Sequence, residues 1–348
     1  MKSLYIGPKG QLRMIGTRKP TYGQENWTAY NKAKTQEMLL LLEILADLVS
    51  YVPKAPRGFK GKPMRDFGDL IFAGVVKEYM NHSSRRLISD LVLARERGHM
   101  GKVPHYNTII KYMGDSRMTP ILLDLIHLSA LPLRDHEETF LVDASGISKA
   151  LYSRWFDVRF KKKLAEEMKA KDWLKIHLIC GSSSHIICTV VVTDGKANDS
   201  PHLPKLVLEA AKNFRIKEVC ADKGYLSRAN VDAITSVGAV PFIPLKSNSN
   251  LKAKGSSGWK AMCMYAQLKP DEFMKHYHKR SNVETVFSTL KRKFGVRLLF
   301  KGEIGMVNEI LCRILAYNIA VLVQMYFVIN VDRDFRKFAH LFASLHTK

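Results

Sequence analysis

The stretch TFLVDAS, residues 139–145, is where helical patterning gives way to β-strand patterning. Its apolar run is broken by one acid, Asp143, which suggests the end of a buried strand. Two more β-rich runs follow, WLKIHLICG (173–181) and HIICTVVVTDG (185–195), and they are separated by three serines. These three runs predict a sheet whose second and third strands form a hairpin.

Strands and helices alternate further along the chain. The segment NDSPHLPKLVLEAAKN (198–213) predicts a helix with Ser200 as its N-cap and Pro201 in its first turn. IKEVCADKGY predicts a strand ending at Asp222, SRANVDAITSVG a helix, and VPFIPL a strand. KSNSNLKAKGSSGWK (246–260) is typical of a flexible basic loop. The order β, β, β, α, β, α, β, α, α predicts an α/β fold with a mixed sheet flanked by helices.

The stretch HYHKRSNVETVFSTLKRKFG, residues 276–295, predicts a helix with one acid among many bases. At 3.6 residues per turn, one strip of this helix carries Tyr277, Arg280, Glu284 and Lys291. An apolar strip beside it carries Val283, Phe287, Leu290 and Phe294. A solvated salt-bridge face is the simplest interpretation, because Arg280 and Glu284 have i,i+4 spacing. A glutamate at the rim of a core is also suitable for catalysis.

The N-terminal part of the chain is basic and helical. Residues 1–20 predict a basic tail, and an apolar helix is expected from about 36 to 52. Two short helices, one capped by Ser83 or Ser84 and one opened by Pro104, are joined by a glycine-containing turn. They indicate either a helix-turn-helix or helices that pack without touching DNA. We therefore predict four segments, namely a tail (1–20), a helical DNA-binding region (21–135), a catalytic domain (136–330) and a C-terminal tail or helix (331–348).

The composition narrows the range of partners. The 348 residues carry a formal net charge of +23, so nucleic acid is the expected partner and an anionic membrane surface the alternative. The apolar run 310–328 is interrupted by Arg313, Asn318 and Gln324, which favours a buried helix over a membrane span. No apolar leader follows Lys2, so we expect no signal peptide. The five cysteines form no CxxC pair and predict free thiols in a reducing cytoplasm.

Three acids could act together although they are far apart in sequence. Asp143 and Asp222 end predicted strands, and Glu284 lies on a helix that could pack over them. Carboxylate oxygens are the ligands that Mg²⁺ prefers, and two such ions can cleave a phosphodiester. Either aspartate alone could equally cap a turn. Asp157 and Asp194 are rival candidates that we interpret as turn residues.

Four segments resemble the DDE-type transposases of bacterial and archaeal insertion sequences. LVDASGIS (141–148) resembles the first-aspartate strand, VVTDGKANDSPHLPKLV (191–207) the stretch before the first helix, and ADKGY (221–225) the second-aspartate motif. The family signature Y-x2-R-x3-E-x6-K is matched by Tyr277, Arg280, Glu284 and Lys291 with every spacing intact. The resemblance spans about residues 139–328 and implies a ribonuclease H-like catalytic domain.

The resemblance also implies roles for individual residues. Asp143, Asp222 and Glu284 would be catalytic and would ligate two Mg²⁺ ions, with Mn²⁺ as an alternative. Tyr277, Arg280 and Lys291 would bind the DNA end. Only 62 positions separate Asp222 from Glu284, which leaves no room for the large β-rich insertion that some relatives carry. The basic loop 246–260, with Lys246, is the nearest substitute as a DNA contact.

The implied reaction is cut-and-paste transposition by hydrolysis at the element ends and strand transfer of the 3′-hydroxyl into target DNA. The expected partners are double-stranded terminal repeats and target DNA, with a homodimer on DNA and no membrane. The implied location is the prokaryotic cytoplasm, at the nucleoid. Two alternatives remain, a metal-dependent nuclease without strand transfer and an inactive transposase-derived DNA-binding protein. Three tryptophans could stack on bases or pack in the core: Trp155, Trp173 and Trp259. His177 could also face the site.

Overall fold

The computed structural model describes residues 4–6, 12–14, 26–53, 66–149, 173–247, 249 and 255–338. The N-terminal half contributes a short hairpin, β1 (Leu4–Ile6) and β2 (Leu12–Met14), and five helices. These helices are α1 (Trp27–Ser50), α2 (Phe67–Met80), α3 (Leu87–Glu96), α4 (Tyr106–Met113) and α5 (Met118–Ala130). The predicted helical region is therefore confirmed, whereas Trp155 and Asp157 lie outside the described residues.

The second half forms a sheet with flanking helices. Its strands are β3 (Thr139–Ser148), β4 (Trp173–Gly181), β5 (Ile187–Asp194), β6 (Glu218–Ala221) and β7 (Val240–Phe242). Its helices are α6 (Leu203–Ala211), α7 (Arg228–Ser236), α8 (Ser257–Leu268), α9 (Pro270–Tyr277), α10 (Ser281–Phe294) and α11 (Glu303–Ile329). The strand order is β5-β4-β3-β6-β7. β3, β4 and β5 pair antiparallel, whereas β6 and β7 pair parallel to β3. This mixed five-stranded sheet confirms the predicted ribonuclease H-like α/β fold.

Several local predictions were wrong. A 3₁₀ turn (Ser200–His202) precedes α6, and Ser200 does not cap it but instead accepts a hydrogen bond from Asn230 Nδ2 at 2.9 Å. The supposed loop 246–260 already enters α8 at Ser257, because Ser256 caps this helix by accepting a hydrogen bond from the Trp259 N–H. The short helix α9 was not anticipated. The helix expected over 276–295 is two helices, α9 and α10, joined by the 3₁₀ turn His278–Arg280.

Helix α11 is the central helix of the fold. By length and composition it is the single helix among the described residues that could span a membrane, but 67% of its most apolar window is buried in the protein. It packs chiefly against α1, α5 and α2. Its polar Asn318 donates a hydrogen bond to Ile187 O at 2.8 Å, which ties α11 to strand β5. The predicted buried helix is thus confirmed, and one core continues across residue 135.

The five cysteines are free thiols, as predicted, and all five are buried.

Candidate active site

The parallel pairing of β3 with β6 brings two of the predicted acids together. The last paired position is Val142 opposite Ala221, so Asp143 and Asp222 occupy the next position on neighbouring strands. Parallel strands place their carboxyl ends at the same edge of a sheet. Asp143 is partly covered, with 22% of its side chain exposed, because β4 continues beside it. Asp222 is exposed and begins a 3₁₀ turn, where its Oδ1 accepts a hydrogen bond from the Lys223 N–H.

Helix α10 packs over β3 and brings the third acid to the same place. Arg280 donates from Nη1 to Asp143 Oδ2 at 3.1 Å and from Nη2 to Glu284 Oε1 at 2.8 Å. Lys291 Nζ donates to Ser145 Oγ at 2.7 Å. Asp143 and Ser145 lie two residues apart and therefore share one face of β3. The basic residues of the signature thus make direct contacts with the strand that carries the first aspartate.

The apolar strip of α10 holds the helix against the sheet. Val283, Phe287, Leu290 and Phe294 are all buried, as the helical spacing predicted. Asn282 Nδ2 donates to Ser182 O at 3.2 Å, which fixes the start of the helix beside the β4–β5 turn. Glu284 remains 64% exposed, because it lies at the rim of this buried strip. The glutamate is therefore held in position and still open to a ligand.

The 3₁₀ turn before α10 is anchored on β6. Glu218 accepts from Lys279 Nζ at 2.8 Å and lies 2.9 Å from His276 Nδ1. Thr139 Oγ1 donates to the same carboxylate at 3.0 Å. The 3₁₀ turn His278–Arg280 separates Tyr277 from α10, and the common strip of Tyr277 and Glu284 stays a prediction. Burial lowers the pKa of Arg280, but Asp143 and then Tyr277 raise it above its ordinary value, which indicates that Tyr277 lies near the guanidinium.

Asp143 is influenced electrostatically by the other two acids. Burial raises the pKa of Asp143, and the negative charges of Asp222 and Glu284 raise it further. The Ala144 N–H and the Arg280 guanidinium act in the opposite direction. Like charges held this close disfavour ionisation until a cation compensates them. This repulsion and the all-oxygen donor set suit a hard divalent cation.

The three carboxylates do not form a preassembled metal-binding site. Among the described residues, no group of three or more His, Cys, Asp or Glu side chains is close enough to hold a metal ion. Arg280 lies between Asp143 and Glu284 and pairs with both. The donor chemistry therefore fits a divalent cation, provided that the guanidinium moves from between the two acids.

The other candidates are not joined to these acids. Lys246 is exposed after β7; its backbone N–H donates to Ser249 Oγ and its carbonyl accepts from the Ser249 N–H. Trp259 is buried in α8, and Trp173 Nε1 donates to Gly195 O, so both pack within the protein. His177 is paired with Ala144 rather than Asp143, which places it on the opposite face of the sheet. Asp194 accepts from the Lys196 N–H, as expected of a turn residue.

Sequence reasoning missed three residues of this region. Glu218 anchors the 3₁₀ turn, and no local pattern marks it. Ser145 could have been found, since it lies two residues after Asp143 on the same strand face. Tyr225 is buried, and its hydroxyl has no hydrogen-bond partner among the residues that the structure describes. Burial raises the pKa of Tyr225, and Asp143 raises it further, which shows that this hydroxyl lies within electrostatic reach of the first aspartate.

Comparison with known proteins assigns the second half of the chain to a family. The Transposase DDE domain family matches residues 134–319, slightly more than half of the chain. Among solved structures, the chain is similar to the piggyBac transposase synaptic complex with hairpin DNA, determined by cryo-EM. The TM-score is 0.41 at 14% identity, covering 88% of this chain and 79% of that chain. None of the curated proteins compared with the chain matches it.

Proposed function

Because this chain belongs to the Transposase DDE domain family, we propose that it is a cut-and-paste DNA transposase with Asp143, Asp222 and Glu284 as its catalytic acids. The observation that carries the assignment is the single guanidinium of Arg280 bound to both Asp143 and Glu284, with Asp222 at the next register position. This arrangement draws on acids from distant parts of the chain, two of them on one guanidinium and the third at the neighbouring strand end. A purely solvated salt-bridge face on α10 would not require this convergence.

The three carboxylates would hold divalent cations, which the family generally uses, and we propose two Mg²⁺ ions or, alternatively, Mn²⁺. When bound, the cations would activate the nucleophile and stabilise the leaving oxygen. Arg280 would exchange its two carboxylates for a phosphate, since a guanidinium binds both groups through paired hydrogen bonds. Lys291, held on Ser145, would contribute a second positive charge beside the strand. Tyr277 would contact the DNA end from the preceding helix.

The proposed reaction has two displacements at phosphorus. In the first, a water oxygen bonds to the phosphorus at the element end, and the 3′-oxygen leaves as a hydroxyl after taking up a proton. In the second, this 3′-hydroxyl attacks a target phosphodiester and releases the 3′-oxygen of the target strand. No covalent protein intermediate is needed. The net charge of +23 favours binding of both DNA segments.

Both element ends must be held together, so we propose a homodimer on DNA in the cytoplasm of a prokaryote, at the nucleoid. Native mass spectrometry of the DNA-bound protein would count protomers and ends. One protomer carrying two ends would contradict the dimer.

The central experiment is a cleavage assay on DNA that carries the flanks of the gene, with Mg²⁺ or Mn²⁺. The wild type is compared with Glu284→Gln and with Glu303→Gln, a matched change at an exposed glutamate in the first turn of α11. We expect cuts and joined products that disappear in Glu284→Gln and persist in Glu303→Gln. Cuts without joined products would favour a nuclease. Binding without metal-dependent cutting in any variant would favour a DNA-binding protein without catalytic activity.

A further inference from the structure

A cavity of about 510 Å³ lies on the far side of α10 from Arg280 and Asp143. Its walls come from four elements that are distant in sequence, namely α1, the β4–β5 turn, α10 and α11. The residues important here are Trp27, Tyr30, Ser184, Thr285, Thr289 and Gln324. Thr285 is the residue after Glu284, and Thr289 lies one turn further along the same helix. The cavity and the candidate active site therefore lie on two sides of the same helix, α10.

One wall of the cavity is aromatic and open. Trp27 is 56% exposed, which is unusual for the largest apolar side chain of the chain's first helix. Its ring meets Tyr30 edge-on, with centroids 5.6 Å apart and planes at 83°. Because more than half of Trp27 is exposed, part of the indole surface is open to a flat ligand. Aromatic rings presented in this way bind nucleobases by stacking, largely regardless of base identity.

The adjoining wall is positively charged. Glu37 is buried and accepts hydrogen bonds from Lys34 Nζ at 2.6 Å, from Tyr79 Oη at 2.8 Å and from Lys293 Nζ. Although burial opposes ionisation, Lys293 and Lys34 hold the pKa of Glu37 below its ordinary value. Two lysines against one carboxylate leave a net positive charge at the cavity. A phosphate on the ligand is therefore favoured.

The solvent-exposed face of α10 lies between the candidate active site and the cavity. Ser288 and Arg292 are exposed there, between Glu284 and the threonines that line the cavity. Hydroxyl and amide groups line the cavity beside Ala320, Val321 and Met325, so it offers polar contacts for the edges of a base and apolar contacts for its ring. The volume is within the range of pockets that enclose ligands of this size.

We propose that this cavity binds an unpaired nucleobase of a DNA strand that crosses the solvent face of α10 from the candidate active site. The base stacks on Trp27, and its phosphate lies near Lys34. This inference rests on the proposed function in one respect only, that DNA is the substrate. Stacking in the cavity needs neither metal nor cleavage, so the two ideas can fail separately.

The test uses full-length Glu284→Gln protein without metal and a single-stranded dT12 oligonucleotide with one 2-aminopurine placed at each position in turn. Stacking would quench the probe at one or two positions. Trp27→Ala should abolish the quenching and weaken binding about 5- to 150-fold, the loss expected for one base–aromatic stack. Trp27→Phe should retain most of both. Leu268→Ala, which removes an apolar side chain that is 75% exposed at the end of α8, should change neither.

A second variant keeps the test valid if Trp27→Ala misfolds at the start of α1. Thr289→Trp fills the cavity from α10 and should also prevent quenching, while circular dichroism confirms the fold. Unchanged affinity and quenching in both Trp27→Ala and Thr289→Trp would overturn the proposal. A loss of thermal stability in Trp27→Ala with unchanged oligonucleotide binding would overturn it too, because the cavity would then serve a segment of the chain itself. Quenching without metal-dependent cutting in the wild type would sustain this inference and contradict the proposed function.

Discussion

The buried charge network around Arg313 gives a quantitative test of how α10 is supported. Arg313 Nε donates to Glu78 at 2.9 Å, and its Nη2 donates to Glu309 at 2.5 Å and to Arg297 O at 2.9 Å. The three charged side chains are at most 4% exposed. The segment that Arg313 holds follows α10 directly and pairs with Ser148 at the end of β3. The network therefore connects the core helices to the strand that carries Asp143.

Replacing Arg313 by Met keeps most of the side-chain volume and removes the charge. Glu78 then retains Lys77 as its partner, at 2.7 Å, whereas Glu309 loses its charged partner and retains backbone N–H donors. Removing one partner of a buried ion pair costs about 3–5 kcal/mol, because the remaining charge stays in a poorly solvated place. We expect the free energy of unfolding to fall by about this amount, and the melting temperature by roughly 4–7 °C for a chain of this length.

The free energy of unfolding lost in Arg313→Met should depend on pH in a defined direction. Burial raises the pKa of Glu309 and Glu78 raises it further, while Arg313 opposes them. The folded protein therefore holds this proton more tightly than the unfolded chain, and stability from this group falls as the pH rises through the folded pKa. Without Arg313 the pKa of Glu309 rises further. The deficit of Arg313→Met should therefore be larger at pH 7 than at pH 5, because a lower pH favours the protonated form of Glu309.

Urea unfolding followed by circular dichroism at both pH values measures this prediction. Arg313→Lys is the matched control that keeps the charge, and it should lose less stability than Arg313→Met. The double variant Arg313→Met/Glu309→Gln removes both charges and should regain part of the loss. A deficit below about 1 kcal/mol at pH 7, or a double variant less stable than Arg313→Met, would refute the argument.

Three further predictions concern the sheet. Glu218→Gln removes the ion pair with Lys279, so hydrogen exchange in the turn 278–280 should become faster while global stability falls by about 1 kcal/mol or less. His177 is buried. Its burial and, to a smaller extent, the neighbouring His202 lower its pKa to about 4, so the folded state binds the proton less tightly than the unfolded chain. Stability from His177 should be complete above about pH 6.5 and fall by about 3 kcal/mol as the pH approaches 4, and His177→Gln should remove this dependence in urea titrations. Gly181→Ala would place a methyl group against Glu137 and should cost about 1–3 kcal/mol by thermal unfolding, whereas Gly302→Ala meets open space and should not.

Each of these three predictions has an outcome that would contradict it. Unchanged exchange in the turn 278–280 would show that Glu218 does not anchor it. A wild type and His177→Gln with parallel stability curves between pH 6.5 and 4 would remove the assigned titration. Equal melting temperatures for Gly181→Ala and the wild type would mean that Glu137 moves aside at no cost.

Local patterns were sufficient for most elements and for the order of the fold. Strand β3 and helix α11 were predicted because apolar alternation and apolar runs depend on near neighbours in sequence. The start of α6 was not, since Ser200 bonds to Asn230, thirty residues away, rather than to its own helix. The break between α9 and α10 also escaped the helical pattern. The turn between these helices carries Lys279, which contacts Glu218 on strand β6, 61 residues earlier in the chain.

The sequence by itself determined which acids were available, because the spacing of Tyr277, Arg280, Glu284 and Lys291 can be counted along the chain. Only the tertiary structure decided that Asp143 and Asp222 lie side by side, since strand register depends on pairing across 79 residues. It also decided that Arg280 bridges Asp143 and Glu284, and that Trp27 faces α10 across a cavity. These features arise between side chains that are far apart in sequence, where periodicity and propensity carry no information.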